Sequence, residues 1–275
     1  MNTSRDDGLL TPDLTHQRPA SHLVYPMQNA SFRIPSLFAA FPDLIAAEST
    51  RHGGISQPPY ASMNLGINTD DNPEHVAENR RLWLANWQLS EAQLASSYQV
   101  HGTAVQVATE AGRTTGFDAL ITNVPGLMVG VTVADCTPVL VFDTRNRAVA
   151  AIHAGWRGTV GGIVTGALQT MQTQYGTQPA DCLAYVGTCI DACSFEVSTD
   201  VADQFAASRT TIDPVTGKAL VDLKQANADQ LRAFGLTDAQ IDVSPFSTVL
   251  NNADYFSHRL EKGLTGRMLA IIGVR

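Results

Sequence analysis

Short apolar runs separated by polar turns dominate the middle of the chain. Four of them follow in quick succession: ALIT, LMVGVTV, PVLVFD and AVAAIHA. Runs of this length with few polar interruptions predict β-strands that are buried on both faces. The polar segment DTRNR between the last two runs predicts the turn of a hairpin. We therefore expect a buried sheet at the centre of the fold.

Longer segments with helical character lie on either side of these strands. In DDNPEHVAENRRLWLANWQL, Asn72 is suited to cap a helix and Pro73 to occupy its first position. TVGGIVTGALQTMQTQYG predicts a second helix, whose first turns are weakened by Gly161 and Gly162. Two more helices are expected near 199–207 and 223–234. SSYQVHGTAVQVAT predicts β-structure broken near a glycine, LAYVG predicts another strand, and RMLAIIGV predicts a closing strand.

The order of these elements indicates one mixed α/β domain. Residues 1–30 are polar and lack any apolar period, so we expect a flexible N-terminal arm before a domain over residues 31–275. No internal repeat and no linker divides that domain.

Composition and charge narrow the classes of partner. The chain has 275 residues and a net charge of −8, which is a poor match for nucleic acid or an anionic membrane. No apolar run reaches the ~18 residues of a membrane span. The N-terminus lacks the apolar core of a signal peptide, so we expect a cytoplasmic protein whose four cysteines are not paired in disulfides.

Three side chains at predicted strand ends or turns form the main candidate for chemistry. His101 lies in QVHG, Cys136 ends GVTVADC, and His153 lies near the end of AVAAIHAG. Two imidazoles and one thiolate suit zinc with a fourth position open for water or substrate. Asp118 and Asp135 are available to hydrogen-bond these ligands or to carry protons.

The same residues allow other interpretations. Their spacings match no short metal motif, and a small cysteine or a histidine beside a strand is often simply packed in the core. Cys136 and His153 also suit a thiol nucleophile and its base. A blue-copper site with Met128 as axial ligand is disfavoured, because laccase-type chemistry needs further coppers and the remaining histidines are scattered.

Arginines in glycine-rich turns form a second candidate feature. HAGWRGTVGG combines Arg157 with a turn that opens a helix, which predicts either an anion pocket or a tight turn with a surface salt bridge. Arg51 and Arg267 lie in similar turns and are each suited to a carboxylate or a phosphate, but the turns by themselves favour a structural or surface role for each. Cys189 and Cys193 lack neighbouring ligands, so packing is their expected role.

Taken together, the motifs resemble one family. RHGGISQPPYASMNLG, NPEHVAENR, QVHG, DALIT, VADCTPVL, AIHAGWRG and YFSHR…TGR occur in the order typical of the YfiH-type multicopper polyphenol oxidase (laccase) domain family. That family includes purine nucleoside phosphorylases and the bacterial peptidoglycan editing factor. The resemblance covers residues 35–275 and implies a single α/β (α+β) sandwich with mixed β-sheets layered between helices.

The resemblance also implies a function and a cofactor. It implies Zn²⁺ bound by His101, Cys136 and His153, which would also be the catalytic residues. It implies phosphorolysis of adenosine, inosine, guanosine and S-methyl-5′-thioadenosine, with adenosine deaminase activity. The net charge, as noted, argues separately against a nucleic-acid or membrane partner. Arg51 and Arg157 are expected to hold phosphate, and Asn64 or Asp135 to contact the base. The alternative is a cysteine hydrolase or a peptidoglycan-precursor editing enzyme that uses Cys136.

Three segments depart from the family pattern. VGTCIDACSFEV stands where a segment like GPxIGxCCYEV is expected, SHRL stands where SYRR is common, and Ser247 stands near a usual Cys-Thr pair. The three predicted zinc ligands are intact, so the departures bear on substrate preference more than on catalysis.

Overall fold

Two six-stranded β-sheets lie face to face at the centre of the structure, a computed structural model that describes residues 31–275. The predicted N-terminal arm over residues 1–30 lies outside the described residues. The first sheet has the order β1 (Phe32–Arg33), β2 (Leu44–Ser49), β15 (Met268–Val274), β7 (Met128–Val133), β3 (Leu94–Tyr98) and β5 (Gly112–Thr115). The second has the order β14 (Ile241–Val243), β10 (Cys182–Val186), β8 (Thr137–Asp143), β9 (Ala148–Ala154), β6 (Ala119–Thr122) and β4 (Val105–Val107). A small third sheet has the order β11 (Glu196–Val197), β13 (Ala219–Val221) and β12 (Thr210–Ile212).

Helices cover the outer faces of the two large sheets. The α-helices are α1 (Pro73–Leu84), α2 (Trp156–Val160), α3 (Ile163–Tyr175), α4 (Thr199–Ala202) and α5 (Leu223–Phe234). Short 3₁₀ helices occur at Ser36–Phe38, Ala85–Trp87, Glu91–Gln93, Pro179–Asp181, Ala207–Arg209 and Asp238–Gln240. α1 packs on the first sheet, and α3 and α5 pack on the second. The result is the single mixed α/β sandwich that the resemblance implied. None of the helices in residues 31–275 combines the length and apolarity needed to cross a bilayer.

The alternation of side chains along β15 shows how the layers are held together. Ile271 packs toward α1 with Trp83, whereas Ile272 faces the second sheet and packs in one cluster with Phe142. Successive residues of a strand point to opposite faces, so one apolar strand supplies two cores. Burying each of these side chains stabilises the fold by roughly 1.5–3 kcal/mol. Because both faces of such a strand are buried, its sequence is apolar at nearly every position.

The predicted hairpin is confirmed. β8 and β9 pair antiparallel along their whole length, and every residue of both strands is buried. The Asp143 carboxylate closes the turn by accepting from the backbone N–H groups of Arg145 and Asn146 at 3.0 and 2.9 Å. The predicted start of α1 is confirmed as well, since Asn72 accepts from the backbone N–H of Glu74 at 2.8 Å and Pro73 is the first helical residue.

Two predicted helices have different bounds in the structure. The helix over TVGGIVTGALQTMQTQYG is broken into α2 and α3 because Gly162 adopts a left-handed φ of +79°. A Cβ on Gly161 would lie 2.5 Å from the Thr103 side chain, so the break also lets the chain pass close to the QVHG loop. The helix expected near 199–207 is the single turn of α4, after which the chain turns and Phe205 packs into a small core.

A buried carboxylate joins the two large sheets. Glu48 of β2 is fully buried and accepts from the Tyr185 hydroxyl of β10 at 2.8 Å and from the Thr188 backbone N–H at 3.0 Å. Burial raises the pKa of the Glu48 carboxyl, although the hydrogen bonds from Tyr185 and Thr188 oppose this shift. The folded protein therefore binds a proton at Glu48 more strongly than the unfolded chain does.

This difference predicts a pH dependence of stability. The free energy of unfolding should fall as pH rises from the ordinary glutamate pKa through the raised pKa of folded Glu48, because the folded state holds the extra proton. Glu48→Gln cannot ionise and should lack this fall, so its stability relative to the wild type should increase with pH. Urea unfolding of both proteins across the acidic range measures this difference. If the difference in the free energy of unfolding between the two proteins does not change with pH across that range, the prediction is wrong.

Candidate active site

The second sheet collects the predicted ligands at one of its ends. In the β8–β9 pairing Pro138 lies opposite His153. Cys136 comes just before β8, so it lies at the same end of these strands as His153. β6 pairs with β9 on the other side, and Asp118 immediately precedes β6. His101 lies in the loop that leads into β4, which pairs with β6. Separations of 35 and 17 residues in sequence therefore become neighbouring positions at one end of the sheet.

The structure brings His101, Cys136 and His153 together. One potential ligand atom from each lies within 4.8 Å of the others, and the two imidazole rings are nearly perpendicular at 86°. His153 is buried, Cys136 is half-buried and His101 is exposed, so the trio has an open side. Within residues 31–275 this is the one group of three or more such side chains close enough to share a metal ion.

Gly155 is required by the close packing of this trio. A Cβ at Gly155 would lie 3.0 Å from Cδ2 of His101 and 3.1 Å from Sγ of Cys136. Any larger residue would therefore push into the space that the two ligand side chains occupy. The first glycine of GWRG is thus explained by the crowded ligands beside it.

Asp118 organises both histidines. Its fully buried carboxylate accepts from the backbone N–H groups of residues 100–102, at 3.2, 2.9 and 2.8 Å, and from Nδ1 of His153 at 2.8 Å. These bonds hold His101 in a left-handed conformation with φ +59° and leave Nε2 of His153 available as a ligand atom. Burial alone would raise the pKa of Asp118, but the hydrogen bonds from His153 and from the backbone lower it overall.

The electrostatics of the trio favour a thiolate. Burial would raise the pKa of the Cys136 thiol, but His153 and His101 lower it to about 6. Burial would conversely lower the pKa of His153, but Cys136 and Asp118 raise it to about 9. A deprotonated cysteine is what both a metal ion and a nucleophilic mechanism require.

A cavity of about 420 Å³ opens beside the trio. Besides the trio, it is lined by Gly66, Asn68, Tyr98, Gln99, Thr132, Val133, Ala134, Asp135, Trp156, Arg157, Ile190, Phe195, His258, Arg259 and Arg267. Three of these residues are arginines and only Asp135 is acidic. The Asp135 carboxylate accepts from the Thr248 hydroxyl at 2.5 Å and from the Arg259 backbone N–H at 2.6 Å. The cavity is therefore positively charged, and its one carboxylate is already hydrogen-bonded.

Two arginines of the cavity lie against aromatic rings. The Arg157 guanidinium lies 4.4 Å from the centre of the Trp156 ring, and that of Arg259 lies 5.5 Å from the centre of the Phe195 ring. Arg157 is exposed and, in the part of the chain that the structure describes, forms no ion pair. Its predicted surface salt bridge is thus not found there, and its charge remains available to a ligand.

The structure does not bring Arg51 to the cavity. Its guanidinium donates to the carbonyl oxygens of Ala61 and Asn252 at 3.1 and 2.9 Å and to the Glu261 carboxylate at 3.0 Å. It also lies 4.5 Å from the centre of the Phe256 ring. All three of its nitrogens are used by the protein, so Arg51 supports the fold beside the cavity.

Asn64 also lies outside the cavity lining. It is fully buried, and its side-chain oxygen accepts from the backbone N–H groups of Gly66 and Arg267 at 3.0 and 2.9 Å. Its amide nitrogen donates to Thr69 and Asp71 at 2.9 and 3.0 Å. Asn64 therefore connects the RHGGISQPPYASMNLG loop to the TGR segment and has no group left for a base.

The segments that depart from the family pattern meet at one wall of the cavity. Ile190 and Phe195 of VGTCIDACSFEV and His258 and Arg259 of SHRL all line it. Ser247 forms a β-bridge with Cys189, next in sequence to Ile190 of that wall. Sequence reasoning did not assign Phe195 or Arg259 to the site, although their position in these departing segments was a usable signal.

Comparisons with known proteins agree with this architecture. The sequence model of the family described as multi-copper polyphenol oxidoreductase laccase matches residues 45–275. The purine nucleoside phosphorylase YlmD of Geobacillus stearothermophilus is 34% identical over 258 residues, covering 86% of this chain and 92% of that protein. The purine nucleoside phosphorylase YfiH of Escherichia coli is 36% identical over 232 residues, covering 82% and 92%. The crystal structure of YlmD from Geobacillus stearothermophilus superposes with a TM-score of 0.82 at 33% identity, covering 86% of this chain and 94% of that one.

The contacts of Asp118 predict its effect on metal binding. Asp118→Asn should weaken the binding of a divalent metal by about 10- to 100-fold, because it removes the charge that orients His153 and holds the His101 loop. Competition with a chromogenic chelator measures this affinity. Asp203→Asn, at an exposed aspartate distant in sequence from the trio, is the matched control and should bind metal as the wild type does. Equal affinities for Asp118→Asn and the wild type would show that Asp118 does not support the ligands.

Proposed function

This chain belongs to the multi-copper polyphenol oxidoreductase laccase family, and from that premise we propose that it is a zinc-dependent purine nucleoside phosphorylase. Its proposed substrates are phosphate with adenosine, inosine, guanosine or S-methyl-5′-thioadenosine, and adenosine deamination is its proposed second activity. The observation that carries the proposal is the His101, Cys136 and His153 trio at the edge of a positively charged cavity with aromatic walls. The names of the relatives supply the reaction class.

The donor set supports zinc as the metal. Two imidazoles, one thiolate and an open side are the arrangement of catalytic zinc sites, which keep one position for water or substrate. A multicopper oxidase needs several copper sites, and residues 31–275 contain one such group. The missing Cβ of Gly155 leaves room for the His101 and Cys136 side chains to lie next to each other. When bound there, zinc supplies Lewis acidity that polarises an oxygen of the substrate or of water.

The cavity suits the charges of phosphorolysis. A phosphate oxygen forms a bond to C1′ of the ribose, the bond from C1′ to the base nitrogen breaks, and the electron pair leaves with the base, which takes up a proton. Arg157 lines the cavity with an unpaired charge that can attract phosphate and orient it. Trp156 and Phe195 give the cavity an aromatic lining against which a purine can pack. The wall that departs from the family pattern is where we expect the preferred nucleoside to be selected.

A cysteine hydrolase, such as an editing enzyme for peptidoglycan precursors, is the second candidate. The observation in its favour is the chain of contacts from Asp118 to His153 to Cys136, which has the order of an orienting acid, a base and a nucleophile. His101 favours the metal instead, because a nucleophile and its base do not need a second imidazole. A chelator separates the two candidates, since it should spare a cysteine hydrolase and inactivate a zinc enzyme.

Metal content is the first test. Purified protein should contain about one zinc per chain, and Cys136→Ala and His153→Ala should each lose both zinc and activity. Elemental analysis after gel filtration measures the zinc. Cys182→Ala removes a buried cysteine that the sheet packs in its core and serves as the matched control, which should keep its zinc. Full activity in a metal-free Cys136→Ala protein would refute the zinc mechanism.

Phosphate dependence is the second test. The protein should convert adenosine to adenine and ribose 1-phosphate only when phosphate is present. Arg157→Ala should slow this reaction by about 10- to 150-fold, the effect of losing one charge-assisted hydrogen bond in the transition state. Deamination of adenosine needs no phosphate and should be less affected. Chromatography of adenosine incubations with and without phosphate measures both products.

Two experimental results would refute the proposed phosphorolysis. Adenine that forms equally fast without phosphate would identify a nucleoside hydrolase. If zinc-replete protein forms neither adenine nor inosine, the nucleoside assignment fails and the peptidoglycan-precursor alternative takes its place.

A further inference from the structure

Arg267 is a cavity residue whose guanidinium is only partly used by the protein. It is half-buried, and Nη1 donates to the carbonyl oxygens of Thr265 and Gly266 at 2.7 and 2.9 Å. In the described part of the chain, Nε and Nη2 have no protein acceptor and no carboxylate contacts the group. The guanidinium edge formed by Nε and Nη2 is therefore available to a molecule bound in the cavity beside the trio.

Several contacts fix the position of this side chain. The backbone N–H of Arg267 donates to Asn64 at 2.9 Å, and its carbonyl accepts from the Leu65 N–H at 3.0 Å. A Cβ on Gly66 would lie 2.5 Å from Cγ of Arg267, so the side chain packs directly on that glycine. Because the stem and one end of the fork are held, a ligand would have little ordering entropy to overcome.

The nearby carboxylates are held by other groups. Glu261 accepts from Arg51 at 3.0 Å, from the Ser257 backbone N–H at 2.9 Å and from the Thr265 hydroxyl at 2.5 Å. Asp135 is occupied by its own two donors, as described above. Burial lowers the pKa of Arg267, while Cys136 and Asp135 favour its charged form. Within the described residues, no carboxylate forms an ion pair with Arg267, although Cys136 and Asp135 lie close enough to stabilise its charge.

We propose that Arg267 is the catalytic residue that binds the phosphate co-substrate, with the N–H groups of Nε and Nη2 donating to two phosphate oxygens. A guanidinium edge with two parallel N–H groups matches two oxygens of a phosphate, whereas a neutral nucleoside offers no such anion. This inference rests on the proposed phosphorylase function. It also gives Arg51 and Asn64 a place in the site: Arg51 holds Glu261, and Asn64 anchors the backbone of Arg267.

Direct binding of inorganic phosphate tests the inference without any turnover. ³¹P NMR titration of the zinc-loaded protein at constant ionic strength should show phosphate binding to the wild type and about 10- to 150-fold weaker binding to Arg267→Gln. Arg267→Lys keeps the charge but loses the fork, so it should fall between the two. Arg81→Gln, at an exposed arginine on α1 that pairs with Glu78, is the matched control and should bind phosphate normally.

A kinetic readout separates phosphate binding from general damage. Arg267→Lys should raise KM for phosphate more than KM for the nucleoside, whereas a merely structural role would affect both alike. Wild-type levels of phosphate binding in Arg267→Gln, or no phosphate binding by the wild type, would overturn the inference. If Arg267→Gln does not fold, the phosphate titration of Arg267→Lys decides, with an unchanged affinity counting against the proposal.

The two proposals fail in different ways. If phosphate binding depends on Arg267 but no nucleoside is cleaved with phosphate, Arg267 remains the anion-binding residue and the phosphorylase assignment fails. If phosphorolysis occurs and both phosphate binding and KM are indifferent to Arg267, the assignment stands and the role of Arg267 is refuted.

Discussion

The hydrogen bonds of the Asp118 carboxylate are the interaction on which the site depends. A fully buried carboxylate is costly unless donors surround it, and here residues 100–102 and His153 supply four. The same four donors belong to the two segments that carry His101 and His153. One charge at the end of the second sheet therefore stabilises the QVHG loop, orients His153 and places both imidazoles beside Cys136. The ligand geometry and the local fold are two consequences of one interaction.

The second constraint on the site is that two glycines lie in close contact with side chains of the cavity and the trio. Gly155 leaves room for the ligand trio, and Gly66 leaves room for the stem of Arg267. Neither glycine has a left-handed φ, so in both cases the missing Cβ matters for space and not for backbone conformation. Both lie in motifs that carry the family resemblance. The glycines of these motifs thus leave room for side chains that line the cavity.

The basic character of the cavity depends on the partners of the carboxylates around it. Asp118 accepts from the His101 backbone N–H and from Nδ1 of His153. Asp135 accepts from Thr248 and from the Arg259 backbone N–H, and Glu261 pairs with Arg51. Each acid close to the cavity is therefore hydrogen-bonded, while Arg157 keeps its charge unpaired. An acidic protein with a net charge of −8 can in this way present a basic cavity to a small anion.

The amino-acid sequence determined the elements that depend on local chemistry. Apolar runs predicted the strands, because a strand that is buried on both faces is apolar at nearly every position. Asn72 and Pro73 predicted the start of α1 and DTRNR predicted the hairpin turn, because capping and turn hydrogen bonds join residues close in the chain. It also singled out His101, Cys136 and His153, but only sheet pairing brought them within 4.8 Å. Which arginine faces the cavity was decided by tertiary structure alone. Arg51 and Arg267 both lie in glycine-rich turns, and they differ because Glu261, distant from Arg51 in sequence, pairs with Arg51 and leaves Arg267 without a carboxylate.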